Sequence, residues 1–297
     1  MIEGNFIPFN FLGLDESISS LGSSRVVILP VPFERTVSFG RGTSKGPFSI
    51  IYASRSLELY DDELDCEPCT LGIHTISELD CHSFDPSHMV EMVGKVCSRL
   101  LDNDKFIITL GGEHSITIGT VKGHKSKFDR FSVLNLDAHC DLRDSYESTP
   151  FNHACAMRRV IDQGIPVVEV GIRSYSKEEA EFIRGRSDIK IFHALDIMGS
   201  KREGWIEEVI SHLLPRVYLS VDLDVFDPSF VPGTGTPEPG GLKWYDVLGL
   251  VRAVFRNREV IGMDVVELSP ISGANSSDIL AAKLIYKAIG YKFKNGL

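Results

Sequence analysis

Six mostly apolar runs of strand length mark the chain: residues 25–29, Lys105 to Leu110, Phe131 to Leu136, Val167 to Val170, Val217 to Val221 and Val260 to Val266. Continuous runs, rather than strict alternation, are the pattern of strands buried on both faces. Pro30 and Pro32 predict that the first run stops at Leu29, because proline cannot donate to a ladder. Between the runs, apolar positions recur at helical spacing over residues 47–59, 87–101, 115 onward, 177–184, 205–214, 243–255 and 277–289. Asp85-Pro86-Ser87 is a start signal for the second of these, and Pro47 suits the first turn of its helix. Strand and helix alternate throughout, which predicts an α/β fold with a mainly parallel sheet covered on both faces. No linker, repeat or low-complexity stretch divides the chain. Residues 1–297 therefore read as one domain, with the Ser- and Gly-punctuated residues 1–24 as an irregular arm packed on it or on a neighbour.

Parallel sheets of this kind bind ligands beyond the carboxyl ends of their strands, and the polar clusters of this chain fall there. The run ending at Leu136 passes into Asp137-Ala138-His139-Cys140-Asp141. Alternate side chains at a strand end face one way, so the two Asp and the His converge. The run ending at Leu110 leads to Gly111-Gly112-Glu113-His114-Ser115, and the run ending at Val221 to Asp222-Leu223-Asp224. Unpaired carboxylates gathered in one place repel one another unless a cation holds them. His114, Asp137, His139, Asp141, Asp222 and Asp224 are too many donors for one ion and fit two divalent cations that share carboxylates. Oxygen-rich ligation with two imidazoles favours manganese over zinc. Two such ions activate water at neutral pH, so hydrolysis is the expected chemistry.

Composition narrows the partners. The net charge of −10, with no Lys/Arg cluster, argues against nucleic acid and is compatible with a small cationic substrate. No run approaches the roughly 18 apolar residues of a membrane helix. The start Met1-Ile2-Glu3-Gly4-Asn5 lacks the basic-then-apolar order of a signal peptide, so a cytoplasmic location is expected. The 6 cysteines are too few for a disulfide scaffold, and Cys66-Glu67-Pro68-Cys69 reads as a surface turn. Phe39-Gly40-Arg41-Gly42-Thr43-Ser44-Lys45-Gly46-Pro47 is similar to two phosphate-binding fingerprints but matches neither, and reads as a flexible loop before a helix.

The segments GGEHS at 111–115, DAHCD at 137–141 and SVDLDVFDP at 220–228 resemble the signature motifs of the ureohydrolase (arginase/agmatinase) family, and the similarity extends from about Val31 to Pro270. The resemblance implies a three-layer α/β/α sandwich, release of urea from a guanidino compound, and two Mn2+ per subunit. One manganese would lie on His114, Asp137, Asp141 and Asp222, the other on Asp137, His139, Asp222 and Asp224. It also gives Asp141 the orientation of the attacking hydroxide, His153 the shuttling of a proton to the leaving amine, and Glu267 the pairing with the guanidinium. Leu142-Arg143-Asp144 departs from the arginase pattern and, with His153-Ala154-Cys155-Ala156-Met157-Arg158-Arg159, is similar to agmatinases. Agmatine is then the expected substrate, with putrescine as product and Asp144 or Glu147 placed to meet its ammonium. Aminopropylagmatine, guanidinobutyrate (whose carboxylate Arg143 could clamp) and arginine stay open as alternatives, as does an inactive metal-binding relative. A homo-oligomer, trimer or hexamer, is implied by resemblance alone.

Overall fold

The computed structural model describes residues 7–199 and 203–294. Eight strands form one sheet: β1 (Val26–Val31), β2 (Ile73–Thr75), β3 (Phe106–Gly111), β4 (Ser132–Leu136), β5 (Val167–Ile172), β6 (Ile189–His193), β7 (Arg216–Asp222) and β8 (Glu259–Val266). Their order is β2-β1-β3-β8-β7-β4-β5-β6, and the paired neighbours run parallel. The strand latest in sequence thus lies between β3 and β7, near the middle of the sheet.

Alternate residues of each strand feed two separate cores. Ile28, Ile108, Leu134 and Leu219 pack with helices Gly46–Ser54, Trp244–Asn257 and Ser276–Phe293. Leu29, Ile107, Val133 and Tyr218 pack with Pro86–Leu101, Ile116–Lys125 and Ala156–Asp162 on the opposite face. This is the expected α/β/α sandwich, and two-sided burial explains why the central strands read as unbroken apolar runs. Asp85 caps its helix as anticipated, accepting the His88 N–H at 2.9 Å.

Several boundaries differ from the sequence reading. β1 continues through Pro30, which needs no donor there and whose carbonyl accepts the Leu79 N–H at 2.9 Å. The edge strands β2 and β6 and the helices Ala156–Asp162 and Ala194–Gly199 were not anticipated, and the helix expected over 47–59 ends at Ser54. Residues 7–24 lie on the sheet's own flank. Phe11, Leu12 and Leu14 are buried, the Phe11 N–H reaches Thr75 Oγ1 at 2.9 Å, and the Leu12 N–H reaches Ser54 Oγ at 2.8 Å. The first residues, on which the reading of the N-terminus rested, lie outside the described ones. Cys69, expected on the surface, is buried, and the 6 cysteines are free. No helix among the described residues is long and apolar enough to cross a membrane.

Candidate metal centre

Four adjacent strands, β3, β8, β7 and β4, deliver the polar cluster at their carboxyl ends. Two groups of donors form there, His114–Asp137–Asp141 and Asp137–His139–Asp224. Asp137 belongs to both: Oδ2 lies 3.1 Å from His114 Nδ1, and Oδ1 lies 3.7 Å from His139 Nδ1. His114 Nδ1 is also 3.0 Å from Asp141 Oδ2 and 3.4 Å from Asp222 Oδ2, and His139 Nδ1 is 2.9 Å from Asp224 Oδ2. The six sequence-predicted donors therefore meet at one place. Strand alternation does not account for all of it, because β4 ends at Leu136 and Asp141 is turned inward by a left-handed backbone, φ 51°. Glu267 shares that conformation, φ 64°. Such strain at non-glycine residues persists only where the surroundings impose it.

Directly beneath the cluster, one row of buried polar residues crosses the sheet in register: Thr109, Asp264, Ser220, Asn135 and Glu169. Ser220 Oγ donates to Asp264 Oδ1 at 2.7 Å, and it lies 3.0 Å from His114 Nε2, whose N–H it is then placed to accept. That relay leaves Nδ1 as a bare lone pair facing three carboxylate oxygens, and this buried atom has no hydrogen-bond partner. Asn135 Nδ2 donates to Asp137 Oδ2 at 3.1 Å and to Glu169 Oε2 at 3.0 Å. Neither Ser220 nor Asn135 was singled out in the sequence, yet each is a polar residue two places before a donor aspartate in an otherwise apolar strand. Replacing Ser220 with alanine should weaken metal binding by roughly 10- to 100-fold, the usual loss when a group orienting a ligand is removed. Chelator competition followed by metal analysis measures it.

The electrostatics also call for cations. Burial pushes the Asp141 and Asp222 carboxyls up, and neighbouring aspartates push them further. Burial opposes charge on His139 as well, but Asp224 and Asp137 outweigh it and raise the imidazole to about 12. Burial likewise works against ionised Asp137, which the two imidazoles nevertheless hold low. Carboxylates crowded this closely in a buried site favour positive charge among them. A lone pair aimed at three carboxylates, with four aspartates and two imidazoles in reach, fits divalent cations as the occupants.

A cavity of about 250 Å³ opens above the cluster and is lined by His139, Asp141, Asp222 and His153 among others. His153 Nε2 is buried without a partner, and burial, followed by the neighbouring imidazoles, lowers its pKa to about 4. Glu267 does not line the cavity. It adjoins the cluster through Oε1, which accepts the His114 N–H at 2.7 Å. At the mouth, Arg143 stacks on Tyr146, 4.8 Å from the ring centre, and its Nε lies 4.0 Å from Glu179. Asp144 does not point into the site as expected. It is 62% exposed and binds Arg158 at 3.4 Å and Arg159 at 2.7 Å, while Glu147 is exposed and outside the cavity lining.

The loop 39–47 borders this site and is fastened to it. Glu34 accepts the Gly42 and Ser44 N–H groups at 3.1 and 2.9 Å, and the Gly40 N–H bonds Gly235 O at 3.0 Å. A Cβ on Gly40 would meet that carbonyl at 2.7 Å, so this glycine permits a close backbone approach rather than phosphate binding. Arg173, also unanticipated, donates to the carbonyls of Gly171, Asp224 and Glu238 at 3.0, 2.6 and 2.8 Å and so ties the Asp224 turn to β5.

An α/β/α sandwich with a carboxylate–imidazole cluster at the central strand ends defines a metal-dependent hydrolase class. The chain belongs to the arginase family, whose sequence model matches residues 24–290. It is 41% identical over 291 residues to the N(1)-aminopropylagmatine ureohydrolase of Synechocystis sp., covering 96% of this chain and 94% of the relative. It is 38% identical over 267 residues to the agmatinase of Pyrococcus horikoshii, covering 89% and 90%. The solved agmatine ureohydrolase of Thermoplasma volcanium superposes with a TM-score of 0.84 at 32% identity, over 97% of this chain and 96% of that one.

Proposed function

We propose that the protein is a ureohydrolase that cleaves agmatine to urea and putrescine. The observation that carries this reading is the meeting of the six donors in one cluster, of which His139, Asp141 and Asp222 line a cavity together with His153, while Glu267 adjoins the cluster at His114. Two divalent cations, for which manganese suits the donor set, would be held by His114, Asp137, Asp141 and Asp222 and by Asp137, His139, Asp222 and Asp224, and would supply Lewis-acid polarisation and activation of water. Asp141, on the cavity wall, accepts a hydrogen bond from the attacking water and aims it at the guanidinium carbon. The family resemblance gives Glu267 the pairing with the guanidinium, a planar cation whose donors match a carboxylate; the His114 N–H holds Oε1, which leaves Oε2 for that role. His153, neutral at physiological pH, takes the water's proton at Nε2 and passes it to the leaving amine.

The far end of the substrate meets mainly neutral side chains, from Ser38, Ser174, Tyr175 and Ser176. Asp144 is already paired, so it does not fix the ammonium, and Arg143 is engaged by Tyr146 and Glu179, which disfavours a carboxylate clamp. A longer substrate, the aminopropyl derivative of agmatine, is the second reading, favoured by the Synechocystis relative and by the N(1)-aminopropylagmatine ureohydrolase of Thermococcus kodakarensis, 38% identical over 92% of each chain. Location in the cytoplasm and a homo-oligomeric state accompany this proposal. Urea release from agmatine, aminopropylagmatine, guanidinobutyrate and arginine, by manganese-loaded protein with a metal-stripped control, tests it. Either of the first two should be preferred and the stripped protein should be inactive; preference for guanidinobutyrate would return the role to Arg143, and metal binding without urea would defeat the proposal.

A further inference from the structure

Glu113 is fully buried one residue before His114 and takes no place in the donor cluster. Its carboxylate gathers four donors: the Arg35 and Thr36 N–H groups, each at 2.6 Å on Oε2, and the Thr36 and Ser115 hydroxyls at 2.6 and 2.5 Å on Oε1. The Thr36 hydroxyl hydrogen is therefore fixed on Glu113. Its lone pair is left to accept the His153 N–H at 3.0 Å, across 117 residues of chain. Asn152 reinforces the junction, donating from Nδ2 to Thr36 O at 3.5 Å while its Oδ1 accepts the Ala154 N–H at 2.9 Å. His153 lines the cavity and its Nε2 has no hydrogen-bond partner, so the placement of the ring rests on the backbone that carries it.

We propose that Thr36, fixed in one orientation by the buried carboxylate of Glu113, is a positioning residue for His153. The chain Glu113–Thr36–His153 couples the β3 end that carries His114 to the turn that carries the proton-transferring imidazole, so the two move as one piece. The proposal rests on the reading that His153 passes the proton. Thr36→Val keeps the shape of the side chain and removes both the donor and the acceptor. Misplacing a reacting group by about 1 Å costs on the order of 100-fold.

The test compares wild type, Thr36→Val, Thr36→Ser, His153→Asn and the Thr36→Val/His153→Asn pair for metal content, kcat and KM, with crystal structures of the wild type and Thr36→Val. Thr36→Val should keep its metal and its KM while kcat falls roughly 10- to 100-fold. Thr36→Ser should restore most of the activity, and the double variant should be no slower than His153→Asn alone, as for residues acting through one another. In the crystal the His153 ring of Thr36→Val should be displaced. Unchanged turnover in His153→Asn would remove the reading of His153, whereas a slow His153→Asn beside a fast Thr36→Val, or additive losses in the pair, would overturn the positioning role. If the wild type releases no urea, the crystal structures decide alone: an unmoved ring overturns the proposal.

Discussion

Alanine at Asp137 should abolish urea release and remove both metal ions together. Asp137 is the only residue common to the two donor groups found among the described residues, with one oxygen toward His114 and the other toward His139. Its loss leaves each group short of a donor, so activity should fall beyond the roughly 10- to 100-fold expected from removing a residue behind a ligand. The fold should survive, because the cluster lies past the strand ends and the substitution relieves repulsion among buried carboxylates. Added metal stabilises a protein only if the folded form binds it. The melting temperature of wild type should therefore rise on addition of manganese, and that of the variant should not. His139→Ala, which touches one group, should retain a single ion; a variant Asp137→Ala that still binds two would refute the shared role.

Glu267→Gln should lower kcat/KM by about 100-fold or more while leaving metal content intact. Glutamine has the same shape, and its amide oxygen can still accept the His114 N–H now held by Oε1. A residue that merely anchors the His114 backbone would tolerate the exchange. A residue that pairs with the guanidinium would not, because losing one partner of a buried charge pair costs roughly 2–5 kcal/mol. Steady-state kinetics with metal analysis separates the two, and near-wild-type kcat/KM would confine Glu267 to structural support of the β3 end.

The parts legible in the sequence were those written locally. The six long strands stood out because a parallel sheet covered on both faces needs unbroken apolar runs. The edges did not: β2 has only three residues, and β6 carries a partly exposed Lys190 among its apolar positions. The six donors were legible because each sits at a strand end in a compact cluster. The supporting residues were hidden, since Ser220, Asp264 and Asn135 become neighbours only through strand register. Thr36 and Glu113 lie 77 residues apart and have no sequence pattern to join them. Asp144 was misjudged because proximity to a motif says nothing of two arginines one turn along a helix that take up its charge.

The placement of β8 carries a consequence for how the molecule comes into being. Without residues 259–266 the sheet would fall into two parts, β2-β1-β3 and β7-β4-β5-β6, each with an open edge where β8 belongs. Open edges are templates for mispairing, and contacts distant in sequence form slowly. β8 fills both edges, and it joins the β3 end that carries His114 to the donors on β4 and β7. The group His114–Asp137–Asp141 is therefore brought together only with β8 in place, whereas Asp137–His139–Asp224 lies wholly on the β4 and β7 side.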